Sequence, residues 1–197
     1  MAKALLVDTN FSSAPIYSVL QDLGYDVHVV GSNPIDALAK SAKNFWNIDY
    51  SDTTALYDLI ERENFDYLVP GCTDRSYKSC AFVSRGRFPG IETPDIEHGI
   101  HNKEKFRVIA EKLDLPIPER QNINNNTLDY PIIIKPADSY SGKGITVMRT
   151  PNQQTLNDAI ELAKATSPTK EYIVEKFING DLYSHNAFLK NQTAVKN

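Results

Sequence analysis

The organisation of the chain turns on one stretch: Lys135-Pro136-Ala137-Asp138-Ser139-Tyr140-Ser141-Gly142-Lys143-Gly144-Ile145. The apolar run PIIIK at 131–135 predicts a strand that ends in a lysine, and ITVMR at 145–149 predicts the next strand. Between them lies a polar loop of small, hydroxyl-bearing and glycine residues. Such a loop can turn backbone N–H groups and serine hydroxyls toward one point, a concavity suited to anionic oxygens. Lys135 and Lys143 add point charges of the kind that hold phosphate. With few packing residues, the loop is expected to be mobile until a ligand orders it. Two familiar phosphate motifs do not fit. A Walker A loop ends in GK[ST] and opens a helix, whereas Gly144 follows Lys143 and a strand comes next. A protein kinase places its glycine-rich loop before the strand lysine, whereas here Lys135 comes first.

Upstream of this stretch the period is different. Strands are predicted at 3–8, 26–31, 47–50 and 66–70, and helices at 14–23, 34–43, 53–64 and 74–83. Strands alternating with helices of about this length predict a parallel sheet covered on both faces. Ligands in such sheets bind beyond the carboxyl ends of the strands, here the turns 8–13 and 70–74. Those turns make Gly71, Asp74 and Arg75 candidate substrate contacts, while Thr73 and Asp74 are also suited to capping the next helix. The first turn carries no GxGxxG, so a dinucleotide is not expected there. After about residue 95 the pattern becomes α+β. A helix is predicted at 102–113, capped by Asn102, with Phe106, Ile109, Ala110 and Leu113 inward. An asparagine-rich loop follows at 121–129. Beyond the two strands around the polar loop come a helix at 151–165, with Leu156, Ala159, Ile160 and Ala163 inward, and strands at 171–175 and 183–189.

Composition narrows the function classes. The 197 residues carry 25 acidic and 21 basic side chains, a net charge of −4, and are 41% hydrophobic. That is an ordinary globular composition and not a disordered one. The acidic balance argues against a nucleic-acid partner held by bulk electrostatics, and Trp46 and the tyrosines show no stacking pattern. No window reaches the roughly 18–20 apolar residues of a membrane span, and the N-terminus lacks the features of a signal peptide. Cys72 and Cys80 form no CxxC, and both are expected to be buried apolar residues in a reduced, cytoplasmic protein. His28, His98, His101 and His185 have no ligand spacing, and no metal is assigned to them.

Three spaced motifs carry a family resemblance. They are Asn102-Lys103-Glu104-Lys105-Phe106 with Leu115-Pro116-Ile117-Pro118, Tyr130 to Pro136 with the loop after it, and Glu175-Lys176-Phe177-Ile178-Asn179-Gly180. In this order the chain resembles the N-terminal part of an ATP-grasp ligase, close to the carbamoyl-phosphate synthase large chain and biotin carboxylase. The resemblance implies an α/β chain with a Rossmann-like parallel-sheet pre-ATP-grasp domain at 1–96. An α+β N-terminal ATP-grasp lobe would follow at 97–175, then a hinge and the start of a truncated C-terminal lobe at 176–197. It implies that Lys103 and Lys135 contact the α- and β-phosphates of ATP. Ser139, Ser141, Gly142, Lys143 and Gly144 would close over the β- and γ-phosphates, and Ile145 would pack on the adenine. Glu175 would take the adenine amino group, with Lys176 and Ile178 offering backbone hydrogen bonds and Phe177 lying in the same hinge.

The implied reaction activates a small carboxylate as an acylphosphate for attack by an amine or similar nucleophile. Magnesium is the implied metal, with its ligands expected beyond Asn197, so this chain is expected to be inactive alone. The sequence departs from the family at Leu182, where many members carry a ribose-binding glutamate. Asp181 is expected to point to the opposite face. A non-catalytic nucleotide-binding or assembly module, and a Rossmann-like protein for another small molecule, remain open alternatives. A homodimer remains open as well.

Overall fold

The structure, a computed structural model, describes residues 1–124, 127–183, 187–190 and 193–195. Backbone contacts divide the chain into two units. The first comprises Met1–Ile117 and Ala137–Lys143, the second Pro118–Pro136 and Gly144–Asn197.

In the first unit, strands β1 (Lys3–Val7), β2 (Asp26–Gly31), β3 (Asn44–Asn47) and β4 (Tyr67–Pro70) form a parallel sheet in the order β3-β2-β1-β4. Helices α1 (Ala14–Asp22), α2 (Ala37–Ser41), α3 (Thr53–Glu63) and α4 (Asp74–Ser84) connect or follow the strands, and α5 (Pro94–His101) and α6 (Lys103–Lys112) come after them. Side chains alternate across the strands, so β1 serves two cores. Leu5 and Val7 join Leu56, Leu59, Ile60, Cys80 and Val83 on one face. Leu6 joins Tyr17, Val27, Val29 and Leu38 on the other. A near-continuous apolar β1 is what a sheet covered on both faces requires.

Local chemistry fixes where the helices start and stop. The Asp52 carboxylate accepts from the N–H groups of Thr54 and Ala55, both at 3.1 Å, and α3 ends at Asn64 in the left-handed region (φ 55°). The Thr73 hydroxyl accepts from the Ser76 N–H at 3.2 Å to start α4. Caps of this kind are each worth about 1 kcal/mol.

The second unit holds β5 (Ile132–Pro136), β6 (Thr146–Met148) and β7 (Tyr172–Lys176) as an antiparallel sheet in the order β6-β5-β7, with α7 (Gln153–Thr166) against it. Ile132, Ile134, Met148 and Val174 pack on Leu156, Ala159, Ile160 and Ala163 of α7. The four helix positions recur at i, i+3, i+4 and i+7, the stripe that the sequence displays. Strands β8 (Phe188–Lys190) and β9 (Thr193–Val195) pair with each other.

Several expectations are corrected. The third strand lies at Asn44–Asn47 and not at 47–50, because the Ser51 N–H donates to Asp49 Oδ1 at 2.9 Å and folds that segment into a turn. The helix expected over 34–43 is only Ala37–Ser41, and α5 is an added element. Of the expected inward face of α6 only Ala110 is fully buried; Ile109 approaches Gly99 of α5 but stays partly exposed, and Leu113 is exposed. Cys72 is exposed, with its thiol donating to the Ser12 carbonyl at 3.2 Å, while Cys80 is buried and its thiol is pushed well above the ordinary range by that burial. The strand expected over 183–189 coincides with β8 only at its end, and His185 lies outside the described residues. Among the described residues no helix is long and apolar enough to cross a membrane.

Candidate functional site

In the first unit, Lys103 begins α6. Its position there is set by Asn102, buried in the cap, whose side chain accepts from the Lys105 N–H at 3.0 Å. The Lys103 N–H donates to the Ala137 carbonyl at 2.7 Å, and its Nζ donates to the Ser139 carbonyl at 2.9 Å. One lysine therefore grips the polar loop at two places. Inside the loop the Lys143 N–H donates to the Tyr140 carbonyl at 3.3 Å, and the Ser139 hydroxyl reaches the Lys143 carbonyl at 3.4 Å. Ser141 (φ 57°) and Gly142 (φ 72°) are both left-handed. Gly142 adopts that conformation freely, whereas Ser141 holds it at some cost. Partial burial raises the Tyr140 hydroxyl above its ordinary range, and the charges of Asp74, Glu97 and Asp138 push the same way.

Of the strand-end candidates, Gly71 is required by close approach. A Cβ there would stand 2.3 Å from the Asp8 Cβ and 2.6 Å from the Ser13 hydroxyl. Its N–H donates to the Ser76 hydroxyl at 2.7 Å. Asp74 Oδ1 lies 3.6 Å from His101 Nε2. The Arg75 guanidinium sits 4.5 Å over the Tyr50 ring and 3.4 Å from Asp49 Oδ1. The Asp49 carboxyl is held below its ordinary range, first by the Ser51 N–H, against burial, and also by the Ser51 hydroxyl and Arg75.

The second unit brings together two residues forty positions apart. Antiparallel register sets Lys135 opposite Ile173 and Ile133 opposite Glu175. Alternation then puts Ile133, Lys135, Ile173 and Glu175 on the sheet face away from the α7 core. Lys135 Nζ meets Glu175 Oε2 at 2.5 Å, with the Glu175 side chain fully buried and that of Lys135 15% exposed. Segment 119–121 closes over the edge of β7. Arg120 forms an antiparallel bridge with Glu175, and the Lys176 N–H donates to the Glu119 carbonyl at 2.8 Å. Lys176 Nζ pairs with Asp129 and reaches the Tyr130 carbonyl at 3.3 Å. The Phe177 N–H donates to the Pro131 carbonyl at 2.8 Å, and Ile178 is exposed. Gly144 (φ 72°) is confined, since a Cβ would stand 2.7 Å from the Thr166 hydroxyl and 2.8 Å from the Pro136 ring. Ile145, partly exposed, leads into β6.

Each unit thus gathers its own share of the sequence candidates: Lys103 with Ser139, Ser141, Gly142 and Lys143 in the first, and Lys135 with Glu175 in the second. Gly71, Asp74 and Arg75 stand at the end of β4 and the start of α4. Asp8, Asp36 and Arg120 are the polar residues that sequence reasoning does not single out. The signal for Asp8 is its place directly after an apolar strand, where parallel sheets present side chains to ligands. Among the described residues no group of three or more His, Cys, Asp or Glu side chains could hold a metal ion.

Known proteins share this fold. Residues 102–183 match the family described as "Carbamoyl-phosphate synthase L chain, ATP binding domain". The structure superimposes, with a TM-score of 0.70 and 14% identity, on the biotin carboxylase domain of Hydrogenobacter thermophilus 2-oxoglutarate carboxylase, solved with MgADP, ADP and bicarbonate. That match covers 89% of this chain and 44% of the other. The chain carries an ATP-grasp fold. Among curated relatives, it is 28% identical over 187 residues to a formate-dependent phosphoribosylglycinamide formyltransferase of Sulfurovum sp., covering 89% of this chain and 47% of that protein. It is 27% identical over 180 residues to the carbamoyl phosphate synthase arginine-specific large chain of Bacillus subtilis, covering 82% of this chain and 17% of that one. The chain therefore spans about half the length of the first relative and less of the second. The mixed architecture, a parallel sheet followed by an antiparallel one, agrees with the fold expected from the sequence.

Proposed function

We propose that this chain is the nucleotide-binding front portion of an ATP-grasp ligase that activates a carboxylate as an acylphosphate for attack by an amine or similar nucleophile. The observation that carries the reading is the buried Lys135–Glu175 pair, formed where the polar loop leaves β5 and the hinge leaves β7, inside the segment that matches an ATP-binding domain. Bound ATP would supply the phosphoryl group. The chain's own residues hold and neutralise it. Lys103 and Lys135 contribute fixed positive charge to the α- and β-phosphates. Ser139, Ser141, Gly142, Lys143 and Gly144 offer N–H groups, hydroxyls and a third ammonium to the β- and γ-phosphates. Glu175 accepts from the adenine amino group, Ile145 covers the ring, and the Lys176–Ile178 backbone meets its edge. A buried base needs this combination of few directed polar partners and apolar faces.

Magnesium accompanies ADP in the Hydrogenobacter structure. The described residues of this chain assemble no ligand set for it, so no step is assigned to a metal here. The functional division at 1–96, 97–175 and 176–197 is part of the same proposal.

Isothermal titration of the 197-residue chain with ATP tests the reading. ATP is expected to release heat, with affinity falling about tenfold or more in Lys103→Ala, which loses one charged phosphate contact. Equal affinity in Lys103→Ala and the parent chain, or no heat from the parent chain, would contradict it.

A further inference from the structure

A cavity of about 520 Å³ lies at the carboxyl ends of the first unit's strands, with Asp8, Thr9, Asn10, Asp36, Tyr50 and Arg75 in its wall. The sheet topology explains its position. β1 leads to β2 on one side, and the chain returns from β3 to place β4 on the other side of β1, so the strand order reverses at β1. Ligands of open parallel sheets bind at that reversal.

The wall carries both signs of charge in an unusual distribution. Asp8, only 3% exposed, accepts from the Ser13 hydroxyl at 2.9 Å, the Asn10 N–H at 3.0 Å and the Tyr50 hydroxyl at 3.5 Å. All three donors are neutral, and no described cation pairs with this carboxylate. Asp36 accepts from the Thr9 hydroxyl and the Asn33 amide, both at 2.5 Å, again without a described cation. Arg75 is the one cation of the wall, its guanidinium fixed against Tyr50 and near Asp49.

A ligand that complements this wall brings a positive group to the carboxylates and a single negative group to the guanidinium. A phosphate monoester would instead bring a charge of about −1.5 to −2 into a wall of two carboxylates and a single guanidinium. The phosphoribosyl group in the Sulfurovum relative's name is therefore the wrong chemistry for this cavity.

We propose that the cavity binds an α-amino-acid-like zwitterion, its ammonium at Asp8 and Asp36 and its carboxylate at Arg75. The binding claim stands on the first unit alone. The further statement that this ligand is a reactant of the ligase rests on the function proposed above.

The test uses the 197-residue chain without nucleotide, by thermal shift and by ¹H–¹⁵N NMR. The probes are the proteinogenic amino acids one at a time, with ribose 5-phosphate as the phosphate-bearing comparison. At least one amino acid should raise the melting temperature and move the Thr9, Asn10 and Thr73 amide signals. Its binding should weaken about tenfold in Asp36→Asn and in Arg75→Gln, two positions outside the buried core; the ¹H–¹⁵N spectrum of each variant shows whether it keeps the fold. Ribose 5-phosphate should move none of these signals. The proposal is overturned if no amino acid moves them, if binding is undiminished in both variants, or if ribose 5-phosphate binds there instead. ATP is absent throughout, so failure of the nucleotide reading and failure of this one give separate results.

Discussion

Asp8 in the first unit and Glu175 in the second are both carboxylates withdrawn from water near the end of a strand, yet they are satisfied in opposite ways. Asp8 receives a backbone N–H and two hydroxyls. Glu175 receives an ammonium at 2.5 Å. A buried carboxylate surrounded by neutral donors keeps its charge available to a ligand. One already locked to a lysine has its charge compensated, and a ligand that takes the lysine must leave the carboxylate to a new donor. The difference predicts that the second unit depends on its pair for stability, whereas the first holds its carboxylate for recognition.

The largest effect expected from this contrast is at Lys135. Lys135→Met takes the ammonium away from a carboxylate held out of water, so it should destabilise the second unit by about 3 kcal/mol or more. Urea unfolding followed by hydrogen exchange would show whether the loss is confined to amides of β5–β7; loss spread equally over β1–β4 would break the comparison. Next comes Gly71→Ala, which drives a Cβ to 2.3 Å from Asp8. Overpacking of this kind is worth about 1–3 kcal/mol, and the expected damage lies in the first unit. Gly142→Ala meets no neighbouring atom within 4 Å and should lose only the left-handed preference, about 1 kcal/mol. Equal melting shifts for the two glycine variants would contradict the close-approach account of Gly71. Asp8→Asn keeps an acceptor for the Asn10 N–H and removes the charge, so its effect on stability should stay near 1 kcal/mol, far below that of Lys135→Met.

The smallest expected effect is on pH dependence. The folded state raises the Tyr140 hydroxyl above its ordinary value of 10.0, chiefly through burial. A group raised in the folded state contributes stability that is complete below the unfolded value and is lost as pH rises through the folded one. Tyr140→Phe should therefore leave stability near neutral pH unchanged and reduce the loss above about pH 10. Chemical denaturation at both pH values would show it, and identical alkaline losses in the two proteins would count against it.

Much of the fold was legible because its signals are local. The i, i+3, i+4, i+7 stripe of α7 and the apolar run of β1 each report their burial directly. Helix α5 was not legible, since its two large apolar residues, Ile96 and Ile100, are both exposed and leave no buried stripe to read. The third strand is displaced because Phe45 and Trp46 are only half-buried at the sheet edge, a weak apolar signal beside the Asp49 turn. At the site, Lys135 and the loop could be read from adjacent residues. The pairing of Lys135 with Glu175 depends on strand register across forty positions, and the cavity of Asp8, Asp36 and Arg75 depends on sheet order. Neither leaves a local trace in the sequence.

The most direct test of the central claim is NMR of the uniformly ¹⁵N- and ¹³C-labelled 197-residue chain during titration with a non-hydrolysable ATP analogue. The account predicts that the signals of Lys103, Lys135 and Lys143 move together at one affinity, with those of Glu175 and Ile178, while Lys3 and Lys40 stay fixed. Movement of the surface lysines alone, or saturation with Lys103 and Lys135 unmoved, would contradict it.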